Sequence, residues 1–516
     1  MIEDYLEELE KQGKDKKKYI EKIKKYAVEK RLLPGPYYLQ PDWQLVSSES
    51  LVRNLLIGRR IAKGFGACLN TGWMLDNFGQ ISQAVQIHKS FGLKGLFVWR
   101  GVEMNPENVK LEFLWESPDG SALTTVYLLD SYRNAMRLAD YPEIFEKRIL
   151  NEVDKLKPFA TTSNLLLMNG YDIETVPDNI LPYIRSNRIE ELIIKQSIPE
   201  ELISEIEEED PVLQKITGYL YSGRFISVFP GILSARMYLK IMNDQCMRLI
   251  EKYSEPIATL SWTLGNVYNE EKNIALWKLL LKNHPHDSIC GVSIDDVHTD
   301  MEARFSQIAD LAGKIIIDEL SILVSFIDTS KVNNSSEAYI VFNSSLTERE
   351  SVITIKPGID TNLVIDGNGL TLPVQKGRNN KLHIQLKNIP ACGYKAIYLM
   401  PPAKLKQSIC IDGIKVAEDK NIAENKYFKL QVTNDGALDI LDKTSMITYR
   451  GLGVFEDGSD AGDTYTYSPA LNDSMILSTS GKVEVAFIEK GPIRCTIKIK
   501  TNLSLPEELF QDEKAQ

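Results

Sequence analysis

The chain has 516 residues, of which 43% are apolar and 25% charged. This is a globular composition with room for about three domains. A net charge of −11 argues against a phosphate backbone or an anionic membrane surface as a partner, and no apolar run approaches the ~20 residues of a membrane helix.

The N-terminal residues Met1-Ile2-Glu3-Asp4-Tyr5-Leu6 lack the basic and apolar regions of a signal peptide. The six cysteines (68, 246, 290, 392, 410 and 495) are scattered with no CxxC pair, as expected of free thiols in a reducing cytoplasm.

In chain order, residues 3–30 read as a charged, solvated helix that ends at Pro34-Gly35-Pro36. Helices are expected at 48–63, 81–91, 141–156 and 177–186. Strands are expected at 93–99, 122–129, 165–168 and 191–195. Strand–helix alternation of this kind implies a mostly parallel sheet covered on both faces. Ligands of such sheets sit beyond the carboxyl ends of the strands. Asp76, Arg100 and Asp172 each follow a strand-like run closely, so all three are expected to line one crevice. Gly64-Phe65-Gly66 lacks the third glycine and the acidic partner of a dinucleotide fingerprint and reads as a turn.

From about 219 to 327 the pattern turns helical, with three amphipathic helices expected at 234–253, 259–282 and 295–326. Within it lies Asn283-His284-Pro285-His286-Asp287-Ser288-Ile289-Cys290-Gly291, which holds two of the five histidines of the chain. Imidazole beside carboxylate suits a borderline divalent metal. A histidine pair at a helix end is nevertheless more often a cap or a hydrogen-bonding pair than a ligand.

After residue 330, short β-branched runs such as 338–342, 352–355 and 483–487 alternate with Gly, Asn and Pro turns, an antiparallel sandwich pattern. The loop 455–465 interleaves Glu456, Asp457, Asp460 and Asp463 with glycines. It reads as a solvated turn or as a loop reaching toward a polyol or cation. The acidic spacing does not follow the calcium pattern of an EF-hand. Residues 511–516 read as polar and unstructured.

Five ordered stretches carry a resemblance: Gly72-Trp73-Met74-Leu75-Asp76-Asn77-Phe78-Gly79-Gln80, Val98-Trp99-Arg100-Gly101-Val102, Leu167-Met168-Asn169-Gly170-Tyr171-Asp172, the stretch 283–291, and the stretch 455–469. Together they resemble glycoside hydrolase family 38, the retaining α-mannosidases, and its bacterial branch in particular. The resemblance implies a multi-domain α/β, all-α and all-β protein. An α/β catalytic domain would cover 1–215, a helical middle domain 216–327 and a β-sandwich region 328–516.

The resemblance also implies hydrolysis of terminal α-mannosides, as free oligosaccharides or other mannosides, by a metal-assisted double displacement. Asp76 would be the nucleophile and Asp172 the acid/base. Phe78, Arg100 and Asp287 would bind substrate, with Arg100 steadying the charge of the nucleophile. Asp76 and His286 would hold a divalent metal, zinc by the habit of the family.

The departures are specific. The His-x-Asp pair of the family's first strand is absent, since no histidine precedes His88. Asp42-Trp43-Gln44 stands where Asp-Glu is frequent, and Ile173 where many relatives place a histidine. The chain thus reads as shortened at both ends, its activity conditional on a separately encoded N-terminal segment. The alternative reading is a truncated, non-catalytic relative with residual carbohydrate binding.

Overall fold

A computed structural model describes residues 2–138, 142–172, 175, 179–330, 332, 335–401 and 413–507. Tyr141, Ile173, residues 177–178 and residues 511–516, on which sequence expectations fell, lie outside the described residues. The chain forms two compact units. The first comprises Met1–Met247, Glu271–Ala309 and Thr464–Thr466, and the second Arg248–Glu270, Asp310–Asp463 and Tyr467–Gln516.

The first unit is built on a five-stranded sheet of β1 (Thr71–Met74), β2 (Gly95–Val98), β3 (Glu112–Glu116), β4 (Ala122–Tyr127) and β5 (Gln214–Thr217), in the order β1-β2-β4-β3-β5. β1 pairs in parallel with β2 and β2 with β4; β3 runs antiparallel to β4, and β5 parallel to β3. The sheet is therefore mostly parallel, as expected.

Side chains alternate between its faces. Leu96 and Val98 join Met74, Val85, Phe113, Trp115 and Tyr127 in one core, while Phe97 joins Val126, Leu202, Ile203 and Ile206 in the other. Both faces are covered by helices, which explains why Gly95–Val98 is buried throughout. β5 escaped sequence reading because it is a short polar edge strand, with three of its four residues exposed.

Two expected strands do not form. Residues 165–168 and 191–195 pair with no sheet. Their apolar side chains Leu167, Leu192 and Ile194 pack around Phe145 and Ile149 of the helix Phe145–Leu156. The backbone of the first is satisfied by a side chain instead of a ladder: Asn134 Nδ2 donates to Leu166 O at 3.1 Å, and Asn134 Oδ1 accepts from Met168 N at 2.7 Å.

The helical region also differs in its breaks. Met237–Arg248 continues through a wide turn, Leu249–Ser254, into Glu255–Thr263. Pro256 supplies no donor to Lys252 O, and Ser344 Oγ bonds that carbonyl instead. Gly265, at φ +96°, ends the run, and a new helix begins at Glu270 and ends at Leu281.

The second unit carries the antiparallel β region. Two three-stranded sheets share a core of Val364, Leu382, Ile384, Leu386, Ile397 and Leu399, the expected sandwich packing. A five-stranded antiparallel sheet over 415–452 and a hairpin, Lys482–Lys490 with Cys495–Asn502, follow.

Candidate active site

Asp76 lies two residues beyond β1 and Arg100 two beyond β2. The two strands are parallel, so both side chains emerge at the same carboxyl edge, where open sheets place their ligands. Arg100 Nε donates to Asp76 Oδ1 at 2.7 Å, and Arg100 Nη1 donates to Ser227 O at 2.8 Å. The guanidinium carbon also sits 4.2 Å from the ring centre of Trp99, 4.9 Å from Phe229 and 5.5 Å from Phe78.

His286 arrives from the other side. Segment 284–286 bridges to residues 40–42, with Asp42 N donating to His284 O at 3.1 Å and His286 N to Gln40 O at 3.3 Å. Gln40 Nε2 in turn donates to Trp73 O at 2.9 Å. This brings His286 Nε2 to 3.8 Å from Asp76 Oδ2. The two histidines of the stretch part company here. His284 is buried with its Nε2 2.8 Å from Asn243 Oδ1, a packing role, and only His286 faces Asp76.

Burial pushes the Asp76 carboxyl up, but His286 and Arg100 outweigh it and hold the group below the usual carboxylate range. Burial pushes the His286 imidazole down, and Asp76 and Asp287 more than reverse that, leaving it raised. Asp287 Oδ2 lies 3.9 Å from His286 Nε2, and its side chain is exposed.

Phe78 is buried, its ring edge-on to His286 at 5.5 Å, Phe229 at 5.6 Å and Tyr465 at 6.2 Å. Gly231 N donates to Tyr465 O at 3.1 Å, and a Cβ at Gly231 would stand 2.8 Å from that carbonyl. Elsewhere in the acidic loop, Asp460 Oδ1 accepts from Gly462 N at 2.9 Å and Ser468 N at 3.0 Å, a turn-forming role.

Asp172 completes the group. Tyr132, five residues past β4, places its hydroxyl 3.3 Å from Asp76 Oδ2 and 2.9 Å from Asp172 Oδ2. The predicted residues Asp76, Arg100, His286, Asp287, Phe78 and Asp172 are thus gathered in the first unit. Sequence reading missed Tyr132, Phe229 and Ser227. Tyr132 had the same signal as Asp76 and Arg100, a polar side chain just beyond a parallel strand.

The metal expectation fits in part. A 3.8 Å separation suits two ligands sharing one ion. Among the described residues, however, no group of three or more His, Cys, Asp or Glu side chains could hold one.

Residues 7–221 match the family described as glycosyl hydrolases family 38 N-terminal domain, and residues 227–323 the alpha mannosidase middle domain. A relative from Halalkalibacterium halodurans, provisionally named a mannosylglycerate hydrolase, is 28% identical over 98% of this chain and 62% of its own length. Human alpha-mannosidase 2C1 is 25% identical over 56% of this chain and 27% of its own. The crystal structure of an alpha-mannosidase from Enterococcus faecalis superimposes with a TM-score of 0.84 at 25% identity, over 93% of this chain and 60% of that one. The chain therefore spans less than two thirds of the length of these relatives. The order and geometry of its motifs, with both family matches, place the chain in glycoside hydrolase family 38.

Proposed function

We propose that the chain hydrolyses terminal α-mannosides by a double displacement that retains anomeric configuration, with Asp76 as nucleophile and Asp172 as acid/base. One observation carries this reading. Both carboxyls touch the Tyr132 hydroxyl, so Asp76 Oδ2 and Asp172 Oδ2 are separated by at most about 6 Å, the two contacts laid end to end. Retaining enzymes hold their carboxyls about 5 Å apart, whereas inverting ones need roughly 6.5–9.5 Å to admit a water.

In the first step the Asp76 carboxylate bonds to C1, the C1–O bond breaks, and the leaving oxygen takes the proton of Asp172. In the second, water gives a proton to the Asp172 carboxylate and its oxygen to C1, freeing Asp76. Arg100 keeps Asp76 ionised for attack, and Phe78 offers an apolar wall to a sugar face.

A divalent metal, zinc by the habit of the family, belongs to the same proposal. Bound, it would act as a Lewis acid on sugar hydroxyls, with Asp76 and His286 as the protein groups that would hold it. The substrate class is an α-mannoside with a sugar or a small-acid aglycone, the latter after the name of the Halalkalibacterium relative. A cytoplasmic setting is supported by the free cysteines 68, 246, 290, 392 and 495. No helix of the described residues is long and apolar enough to cross a membrane.

The test is hydrolysis of an aryl α-mannoside by the purified chain, with added zinc and with a chelator, beside Asp76→Asn. Turnover is expected to fall at least about 10³-fold in the variant; survival of turnover would remove Asp76 from the role of nucleophile. Among the described residues the ligand set is incomplete, which favours a second reading, a non-catalytic carbohydrate-binding relative. A folded chain that binds mannosides without cleaving them, with or without zinc, would select it.

A further inference from the structure

Asp172 stands on a segment that belongs to no strand or helix, and its side chain is exposed. An acid/base must nevertheless be held within hydrogen-bond reach of one oxygen through two steps. Residues 132–138 grip the segment that carries it. Asn134 bonds Leu166 O and Met168 N, Ala135 N donates to Met168 O at 3.0 Å, and Leu138 N donates to Asn169 Oδ1 at 3.3 Å. All four bonds stop short of Asp172 itself. Among the described residues, the Tyr132 hydroxyl is the hydrogen-bond partner of its carboxyl.

Tyr132 is itself rigid. It is buried, edge-on to Trp99 at 5.0 Å and stacked on Tyr171 at 5.9 Å with the ring planes 23° apart. Its phenol carries one hydrogen for two carboxyls. Donated to Asp172, along the shorter contact, it orients that group. A protonated Asp172 can instead donate to the phenol oxygen, freeing the phenol hydrogen for Asp76.

We infer that Tyr132 is the positioning residue of the acid/base, fixing the Asp172 carboxyl relative to Asp76. This rests on the proposed roles of those two residues. A residue acting through the acid matters only when the leaving group needs a proton. The activity of Tyr132→Phe should therefore depend on the leaving group, while ring stacking on Trp99 and Tyr171 is preserved.

The experiment compares wild type, Tyr132→Phe, Asp172→Asn and the double variant on 2,4-dinitrophenyl and methyl α-mannosides. The first step is isolated by pre-steady-state kinetics, and folding is checked by near-UV circular dichroism. For Tyr132→Phe we expect a loss of about 10- to 100-fold on the methyl glycoside, less than about 3-fold on the dinitrophenyl glycoside, and no added loss on top of Asp172→Asn. Equal loss on both substrates would overturn the inference by assigning the hydroxyl to the nucleophile. No loss on either would overturn it as well. Asp172→Asn without leaving-group dependence, or a folded wild type inert on both mannosides, would instead bring down the proposed function on which the inference stands.

Discussion

Arg100 and Asp76 form the central ion pair of the site: Nε to Oδ1 is 2.7 Å, with side chains only 10% and 23% exposed. Burial of this kind costs each charge its hydration, so the pair is held by geometry and by further bonds. Here the fork of the guanidinium is used twice, once on Asp76 and once on Ser227 O, while its faces meet three aromatic rings.

Lysine cannot reproduce that fork. Arg100→Lys is expected to stay folded and lose about 10- to 100-fold in kcat/KM, because one of the two bonds must go. Arg100→Met leaves a largely desolvated carboxylate without its partner. Its unfolding free energy should fall by about 2–4 kcal/mol, somewhat below the range for a fully buried pair. Urea denaturation of both variants checks this, and equal stability of Arg100→Met and wild type would deny the pair its importance.

Asn134 tests the frame around the acid/base. Its carboxamide serves two backbone groups of 165–168, and alanine there leaves Leu166 O and Met168 N without their partner. A loss of about 1–3 kcal/mol is expected, with faster hydrogen exchange concentrated at residues 165–169. Uniform exchange across the first unit would show that other contacts hold the segment.

That segment also marks the boundary of what the sequence made legible. The run Leu165-Leu166-Leu167-Met168 has the composition of a strand, but its four residues are only half-buried and form none. Whether an apolar run pairs with a sheet depends on a distant partner, and here Asn134 and the helix Phe145–Leu156 replace a ladder. By contrast Asp76 and Arg100 were legible, because a polar residue just after a short apolar run has a position fixed by the sheet itself. His286 was legible only as one of a pair, since the bridge from residues 40–42 that turns it toward Asp76 is long-range. Tyr132 was missed although it too follows a parallel strand: four residues separate it from β4, and it carries no charge.

His88 gives a pH dependence away from the catalytic groups. It is fully buried, with Nδ1 2.6 Å from Ala84 O and Nε2 2.5 Å from Tyr37 Oη, an arrangement that suits the neutral ring donating to the carbonyl and accepting from the phenol. Burial pushes its pKa down to about 4. The unfolded chain takes up this proton near 6.5 and the folded chain only near 4, so between these values the unfolded state binds more protons. The stability contribution is complete above about pH 6.5 and is lost as pH falls toward 4, by about 3 kcal/mol. Thermal melts from pH 7.5 to 4.5 should show a shallower acid slope for His88→Gln than for wild type. Parallel slopes would mean that His88 is not the group that titrates.

Gly101 determines where Arg100 points. It follows Arg100 directly with φ +87°, a conformation that L side chains rarely adopt, and bridges to Ser222. An added Cβ would stand 2.3 Å from Leu220 O and 2.7 Å from Leu220 C, which are backbone atoms and cannot swing away. Alanine there therefore combines a strained φ, worth about 1–3 kcal/mol, with a clash that only displacement of one chain relieves. Residues 220–222 and the Arg100 backbone are the two chains in question. Displacement of either lengthens the bond from Arg100 to Ser227 O or to Asp76. Gly101→Ala should thus lose both stability, by at least about 2 kcal/mol, and most of kcat, while Gly120→Ala, also at positive φ (+82°) but with nothing within 4 Å of its Cβ, should lose only the strain. Equal effects of the two substitutions in melting temperature and kcat would show that strain alone operates at Gly101 and that the approach of Leu220 does not control Arg100.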